Sequence, residues 1–427
     1  MSSEALDRTV RPAIRRIEKL AIKPAEKTFL PNGIPLYLIN QGSQDVCSIE
    51  FNFRAGKWMQ EQKLAARFTN RMLREGTKSY NSKEISEKMD FYGAAIRAQT
   101  GSDHASIMLN SVNKHLKEIL PVFAEIVREP VFPKSELEVI STNSRERLKL
   151  NKTKHDYLAG RKIASVLFGE NHPYGYESKE EDYDNVTPEV LKNFYSTHYN
   201  AGNCFMIISG KIEDGTMALI EKYFGDKSWV KPVPAEPQRI VAPSPELKHR
   251  MKLERSVQSA IRVGKRLFNK THPDFQKMQV LNTVLGGYFG SRLMSNIRED
   301  KGFSYGINSG LASLVHEGYF YISTEVGYEV TQDALKEIYK EINLLREKLI
   351  PEDEMELVRN YFAGKILSGV DGPFKLADFY AGLLIYGLDI DYAHQLLETV
   401  KAVTSKELRD LANQYLNTEE MVEVVVG

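Results

Sequence analysis

Two cysteines, Cys47 and Cys204, are the whole thiol complement of 427 residues. Each lies in or beside an apolar run, and neither belongs to a Cys-x-x-Cys pair. A disulfide scaffold is therefore excluded, and two buried free thiols in a reducing compartment are expected. Net charge is also lacking, because 57 basic residues balance 57 acidic ones. That argues against a nucleic-acid protein and against polybasic membrane attachment. No apolar run approaches the roughly 18 residues of a spanning helix. The N-terminal segment mixes Arg8, Arg11, Arg15 and Arg16 with Glu4, Asp7 and Glu18 around no apolar centre, which is unlike a signal peptide or a transit peptide. A soluble cytoplasmic protein is expected.

Histidine is scattered. None of the nine stands in His-x-x-His, His-x-x-x-His or His-x-x-Glu-His order. Gly286-Gly287-Tyr288-Phe289-Gly290 lacks the order of a dinucleotide fingerprint. His172, His198 and His272 read as structural.

What is present is a duplication. Leu116-Lys117-Glu118-Ile119 recurs as Leu335-Lys336-Glu337-Ile338, Phe132-Pro133 as Ile350-Pro351, and Val186-Thr187 as Val403-Thr404. The order is kept at nearly constant spacing, and the period is far too long for a solenoid. Between the halves, Pro232, Pro234, Pro237, Pro243 and Pro245 remove donors and fix φ, which predicts an extended linker. The expected organisation is an arm over 1–27, a first domain over 28–225, a linker over 226–250 and a second domain over 251–427. In the first, strands are predicted at Pro35 to Asn40, Cys47 to Arg54, Ile96 to Thr100 and Ala105 to Asn110. Helices are predicted at Ser82 to Tyr92 with Ser82 as cap, at Val112 to Arg128, at Ser135 to about Phe168 with a break near Asn151 to His155, and from Pro188. Hairpins rather than crossovers point to an α+β fold, with two homologous halves, each a mostly antiparallel sheet with packed helices.

The most informative stretch is Leu64 to Thr77. As a helix it places Arg67, Asn70 and Arg71 on one face and Phe68 and Met72 on another. Gly76 and Thr77 read as its stop. With Met72-Leu73, Gly76-Thr77 and the upstream Arg54-Ala55-Gly56 and Glu61, this stretch resembles the pitrilysin/insulinase family of zinc peptidases, which includes the mitochondrial processing peptidase. Those enzymes carry His-x-x-Glu-His on this helix. Here Arg67, Asn70 and Arg71 stand at the three positions. The family's third ligand falls at Arg147, with Glu146 beside it. Arginine offers donors only and cannot ligate a cation, and an amide is no general base. The resemblance thus implies a zinc site whose ligands have been replaced.

In the second half, Ile297-Arg298-Glu299-Asp300-Lys301-Gly302-Phe303-Ser304-Tyr305 resembles the family's second-domain motif. The resemblance implies that Arg298 and Tyr305 reach across to a facing domain's zinc site and hydrogen-bond substrate backbone and the developing oxyanion. Gly302 lets the chain turn between them.

These features together imply a chain that is no enzyme alone. It is expected to be the non-catalytic, substrate-binding subunit of a heteromeric zinc endopeptidase acting on short or unfolded peptides. It would hold no metal or cofactor itself and supply Arg298 and Tyr305 in trans to a homologous partner that carries His-x-x-Glu-His and zinc. The competing expectation is a homodimeric peptide-binding scaffold without proteolytic activity. A metal enzyme with unrecognised ligands is a third. For Arg67, Arg71 and Arg147 the plain expectation is a cluster salt-bridged to Glu75, Glu146 or another acid. The sharper one is a cationic pocket for a peptide carboxylate or acidic side chain.

Overall fold

A computed structural model describes residues 17–254 and 256–427. Arg8, Arg11, Arg15 and Arg16, with most of the expected N-terminal arm, lie outside the described residues. The first half runs β1 (Glu26–Phe29), β2 (Pro35–Asn40), β3 (Val46–Phe53), α1 (Ala65–Met72), α2 (Ser82–Phe91), β4 (Ala95–Thr100), β5 (Ala105–Val112), α3 (Leu116–Arg128), α4 (Lys134–Asn151), α5 (His155–Phe168), α6 (Pro188–His198), β6 (Cys204–Gly210) and α7 (Thr216–Phe224). The second runs β7 (Lys248–Met251), β8 (Gln258–Leu267), α8 (Phe275–Gly286), a π-helix (Met294–Asp300), β9 (Ser304–Ser313), β10 (Gly318–Gly327), α9 (Thr331–Glu347), α10 (Glu352–Gly369), α11 (Pro373–Leu384), α12 (Asp391–Ala402), α13 (Ser405–Tyr415) and β11 (Val422–Val426).

The sheets repeat one topology. Their strand orders are β1-β2-β6-β3-β5-β4 and β7-β11-β8-β10-β9. Each is antiparallel except for one parallel pair, β2 with β6 and β7 with β11. The fold is α+β in two like halves. β7, the counterpart of β2, starts at Lys248, so the second half begins slightly before the expected boundary at 251. β4 and β9 are the matching edge strands, and both candidate sites lie beside them.

The halves interlock rather than dangle from a tether. α5 of the first half packs on β8 and β11, while α11 of the second packs on β2 and β6. Val422, Val424 and Val426 enter the first core, and Ile39 and Ile207 enter the second. The proline-rich linker is extended as expected and tied down along its length. Arg239 donates to the carbonyls of Trp58 (2.9 Å) and Gln60 (2.8 Å), and Ala242 N donates to Phe168 O at 3.0 Å. Glu236 meets His316 at 2.9 Å, and His316 stacks on Trp58 with centroids 3.9 Å apart. Gly56 lets the chain pass close to Asp103, since a Cβ there would lie 2.3 Å from that backbone. These ties hold the two edge strands in a set relation.

Local chemistry explains the remaining boundaries. The cap of α2 is Asn81, not Ser82: Asn81 and Glu84 exchange capping hydrogen bonds, and Ser82 Oγ donates to Glu136 instead. The break between α4 and α5 falls at residues 152–154, inside the expected interruption. Val112 ends β5, and α3 starts only at Leu116. Cys47 and Cys204 are free, at opposite ends of the β3–β6 ladder. His172, His198 and His272 stack on Phe168, Phe194 and Phe268, which is a packing role. No described helix is long and apolar enough to cross a membrane.

Candidate functional site

The first candidate is the α1 region. Phe68, Met72 and Leu64 are buried, so the apolar face forms the core contact the spacing predicts. The helix is shorter than expected, because it ends at Met72 and Thr77 then bridges to Pro130. Its polar face divides. Asn70 is fully buried and donates to the carbonyls of Gln99 (2.7 Å) and Ser106 (3.1 Å). It therefore ties α1 to the β4–β5 hairpin instead of joining Arg67 and Arg71 in an open face. Arg67 is exposed. Arg71 is half-buried and reaches Ser144 Oγ on α4 at 3.4 Å.

Arg67, Arg71 and Arg147 line one cavity of about 500 Å³. Lys57, Arg74 and Arg161 line it too, and among the described residues no acidic one does. Among the described residues only Arg74 of these six forms an ion pair, with Glu75 at 3.5 Å. Glu146 pairs with Lys149 on the surface (2.9 Å) and stays outside the cavity. The expected salt-bridged cluster forms only at its margin: Glu75 pairs with Arg74 beside Arg71, while among the described residues Arg67, Arg71 and Arg147 make no ion pair and Glu146 turns to Lys149. Burial pulls the Lys57 ammonium down to about 8, with Arg161 and Arg67 adding to the shift. Burial, then Arg67, lowers the Arg71 guanidinium as well. A buried positive charge beside others of its sign holds its proton less tightly.

Zinc does not fit these residues. Three guanidinium groups replace the ligands, and Asn70 has both amide hydrogens committed to backbone carbonyls. Among the described residues no group of three or more His, Cys, Asp or Glu side chains could hold a metal ion.

The second candidate is built on the π-helix and β9. Arg298 sits in the last turn of the π-helix, and Gly302 follows at φ +63, where a side chain would be strained. β9 then begins with an irregularity: Ile307 pairs Thr324, but Ser304 pairs Val326. The extra residue on β9 is a bulge at Tyr305–Gly306. Two hydroxyls brace it, with Ser304 Oγ (2.7 Å) and Thr324 Oγ1 (2.9 Å) both donating to Gly306 O. A bulge re-aims a side chain, and here Tyr305 is 92% exposed, with no partner for its hydroxyl among the described residues. Arg298 lies between two rings, 4.8 Å from the Phe289 centroid and 5.2 Å from that of Tyr305. Glu299 pairs its Nε at 3.2 Å. Arg298 and Tyr305 are thus adjacent, directed outward and held by cation–π contact. Neither lines the cationic cavity.

Sequence reasoning missed several participants. Phe289 lies in the glycine cluster that precedes the second-domain motif, where the resemblance assigns it no role of its own. Ser304 and Thr324 become visible only through strand pairing. Lys57 and Arg161 reach the cavity from elements distant in sequence, and Arg74, inside the quoted stretch, follows Arg71 by three residues.

An α+β duplication of this kind defines a class, and the family follows from comparison with known proteins. A model described as "Insulinase (Peptidase family M16)" matches residues 36–173, and one described as "Peptidase M16 inactive domain" matches residues 185–362. The chain belongs to peptidase family M16. A Bacillus subtilis protein named "Uncharacterized zinc protease YmxG" is 24% identical over 83% of this chain and 85% of its own length. A Helicobacter pylori protein named "Non-peptidase homolog YmxG" is 21% identical over 89% of this chain and 88% of its own. A crystal structure of a peptidase M16 inactive domain from Pseudomonas fluorescens superposes with TM-score 0.85, at 23% identity, over 94% of this chain and 98% of that one.

Proposed function

We propose that this chain is the non-catalytic subunit of a heteromeric zinc endopeptidase that cleaves short or unfolded peptides. The observation that carries the reading is an asymmetry. Arg67, Asn70 and Arg71 cannot bind zinc or take a proton from water, whereas Tyr305 is presented to solvent on a braced bulge, with the half-buried Arg298 of the π-helix against its ring. A guanidinium and a phenol are good donors to peptide carbonyls, and a placed donor at an oxyanion contributes about 2.7–4 kcal/mol. The zinc and the general base belong to a homologous partner carrying His-x-x-Glu-His. This chain orients the substrate backbone and stabilises charge on the carbonyl oxygen. A relative printed as a non-peptidase homolog supports a chain of this family that does no chemistry by itself.

A tagged pull-down from the native cell extract tests the proposal. A near-stoichiometric chain of similar length with His-x-x-Glu-His is the expected result. Recovery of the bait alone, as a dimer, would replace it with the homodimeric peptide-binding scaffold.

A further inference from the structure

We propose that the cationic cavity beside α1 is a binding subsite for an acidic segment of an extended polypeptide, seated along the free edge of β4. This inference rests on the peptide-binding reading above and adds a substrate class to it.

The charge comes from four elements. Lys57 precedes α1; Arg67, Arg71 and Arg74 lie on or just after it; Arg147 comes from α4 and Arg161 from α5. Among the described residues only Arg74 is paired, so five cations face a cavity of about 500 Å³ without a carboxylate. Like charges gathered this way are unfavourable to the folded chain alone. A single carboxylate would neutralise one of them, so the complement is an anion of several charges. Arginine forks suit carboxylates, and clusters of them recognise acidic motifs.

The form of the ligand follows from β4. It is the edge strand of the first sheet, and among the described residues it pairs only with β5. Its Ala98 and Thr100 line the cavity, while Arg97 and Gln99 alternate to the other face. A peptide added to this edge would direct every second side chain past Ala98 and Thr100 into the cations. The preferred pattern is therefore Glu-x-Glu-x-Glu, with acids at alternate positions. Asn70 holds this strand rigid by gripping Gln99 O.

Fluorescence anisotropy on the full chain tests the inference directly. The probes are a labelled Glu-x-Glu-x-Glu peptide with small neutral x residues, its glutamine counterpart, and a peptide with the same three glutamates in a row. The alternating acidic peptide is expected to bind at least about tenfold tighter than the other two, with affinity falling as salt rises. Arg67→Glu with Arg71→Glu should erase the difference. Arg147→Glu alone should reduce it, and it provides a second exposed site should the double variant fail to fold. Lys83→Glu, a similar charge change on α2, should leave it intact. Equal binding of the acidic and glutamine peptides overturns the inference. So does pyrophosphate that binds tightly while the acidic peptide does not, which would make the site one for small polyphosphates. The assay needs no partner. Loss of the acid preference in a chain that still completes an active complex removes this inference alone, and an acid preference in a chain with no zinc-bearing partner removes only the subunit reading.

Discussion

The two candidate regions stand beside equivalent edge strands of duplicated halves, yet they differ in what became of their polar groups. At α1 the residue in the glutamate position has been drawn inward. Asn70 is buried and makes two backbone hydrogen bonds, so it belongs to the packing. At β9 the polar groups are pushed outward. Tyr305 stands on a bulge with an unpartnered hydroxyl, and Arg298 lies between Phe289 and Tyr305. In the first region a polar residue of the helix serves the packing. In the second, the Tyr305 hydroxyl has no partner among the described residues, while Arg298 is held by Glu299 and two rings. Donors held ready for a ligand are usually supplied with one.

The contrast is broken most severely at β9. In the proposed complex, Tyr305→Phe or Arg298→Ala is expected to lower kcat about 10²–10³-fold, as loss of an oxyanion donor does. Zinc content, measured by atomic emission, should not change. Loss of zinc alongside activity would assign these residues a structural task.

At α1 the expected effect is on stability. Asn70→Leu removes the two hydrogen bonds to the Gln99 and Ser106 carbonyls and should lower the unfolding free energy by about 1–3 kcal/mol. Urea denaturation reads this. Asn70→Glu, the family residue, should destabilise as well and give no hydrolysis, because Arg67, Arg71 and Arg147 still exclude a metal.

A third site, at the seam of the halves, sharpens the contrast by titration. Glu50 on β3 faces a cavity it shares with Asp378 of α11. Burial pushes its carboxyl up to about 7, with Asn52 opposing and Asp378 adding. Between the ordinary value of 4.5 and about 7, the folded chain keeps this proton and the unfolded chain loses it. Stability contributed by this group therefore falls as pH rises through that window and stays reduced above it. Glu50→Gln should stabilise at pH 8 by up to about 3 kcal/mol and do little near pH 4. Denaturation midpoints at the two pH values decide this, and an equal effect at both would contradict it.

The smallest effect is expected at the turn. Gly302→Ala places a methyl at φ +63 in open space, so the cost is backbone strain of about 1 kcal/mol. A fall in kcat without a comparable fall in stability would show that the turn aims Arg298 and Tyr305.

Much of this architecture was legible in the residues. The repeated Leu-Lys-Glu-Ile and Val-Thr landmarks follow from duplicated helices α3/α9 and α6/α13, whose apolar periodicity and caps are local properties. Arg67, Arg71 and Arg147, which the resemblance places together, do line one cavity. The bulge at Tyr305 and the approach of Lys57 and Arg161 depend on strand register and helix packing, which no local window encodes. Asn70 reads as a surface neighbour of Arg67 and Arg71 because i, i+3 and i+4 positions share a broad face. A short helix lying against a hairpin divides that face between core and cavity. The exchange of α5 and α11 between halves also left no local signal, since each helix has an apolar face that fits either sheet.

The most direct measurement is peptide hydrolysis by this chain, by its His-x-x-Glu-His partner and by their mixture, each with zinc analysed. The account expects cleavage in the mixture, zinc in the partner, and neither in this chain alone, with Arg298→Ala lowering the mixture's turnover at unchanged zinc. Stoichiometric zinc or hydrolysis in this chain by itself, or a partner fully active without it, would contradict the central claim.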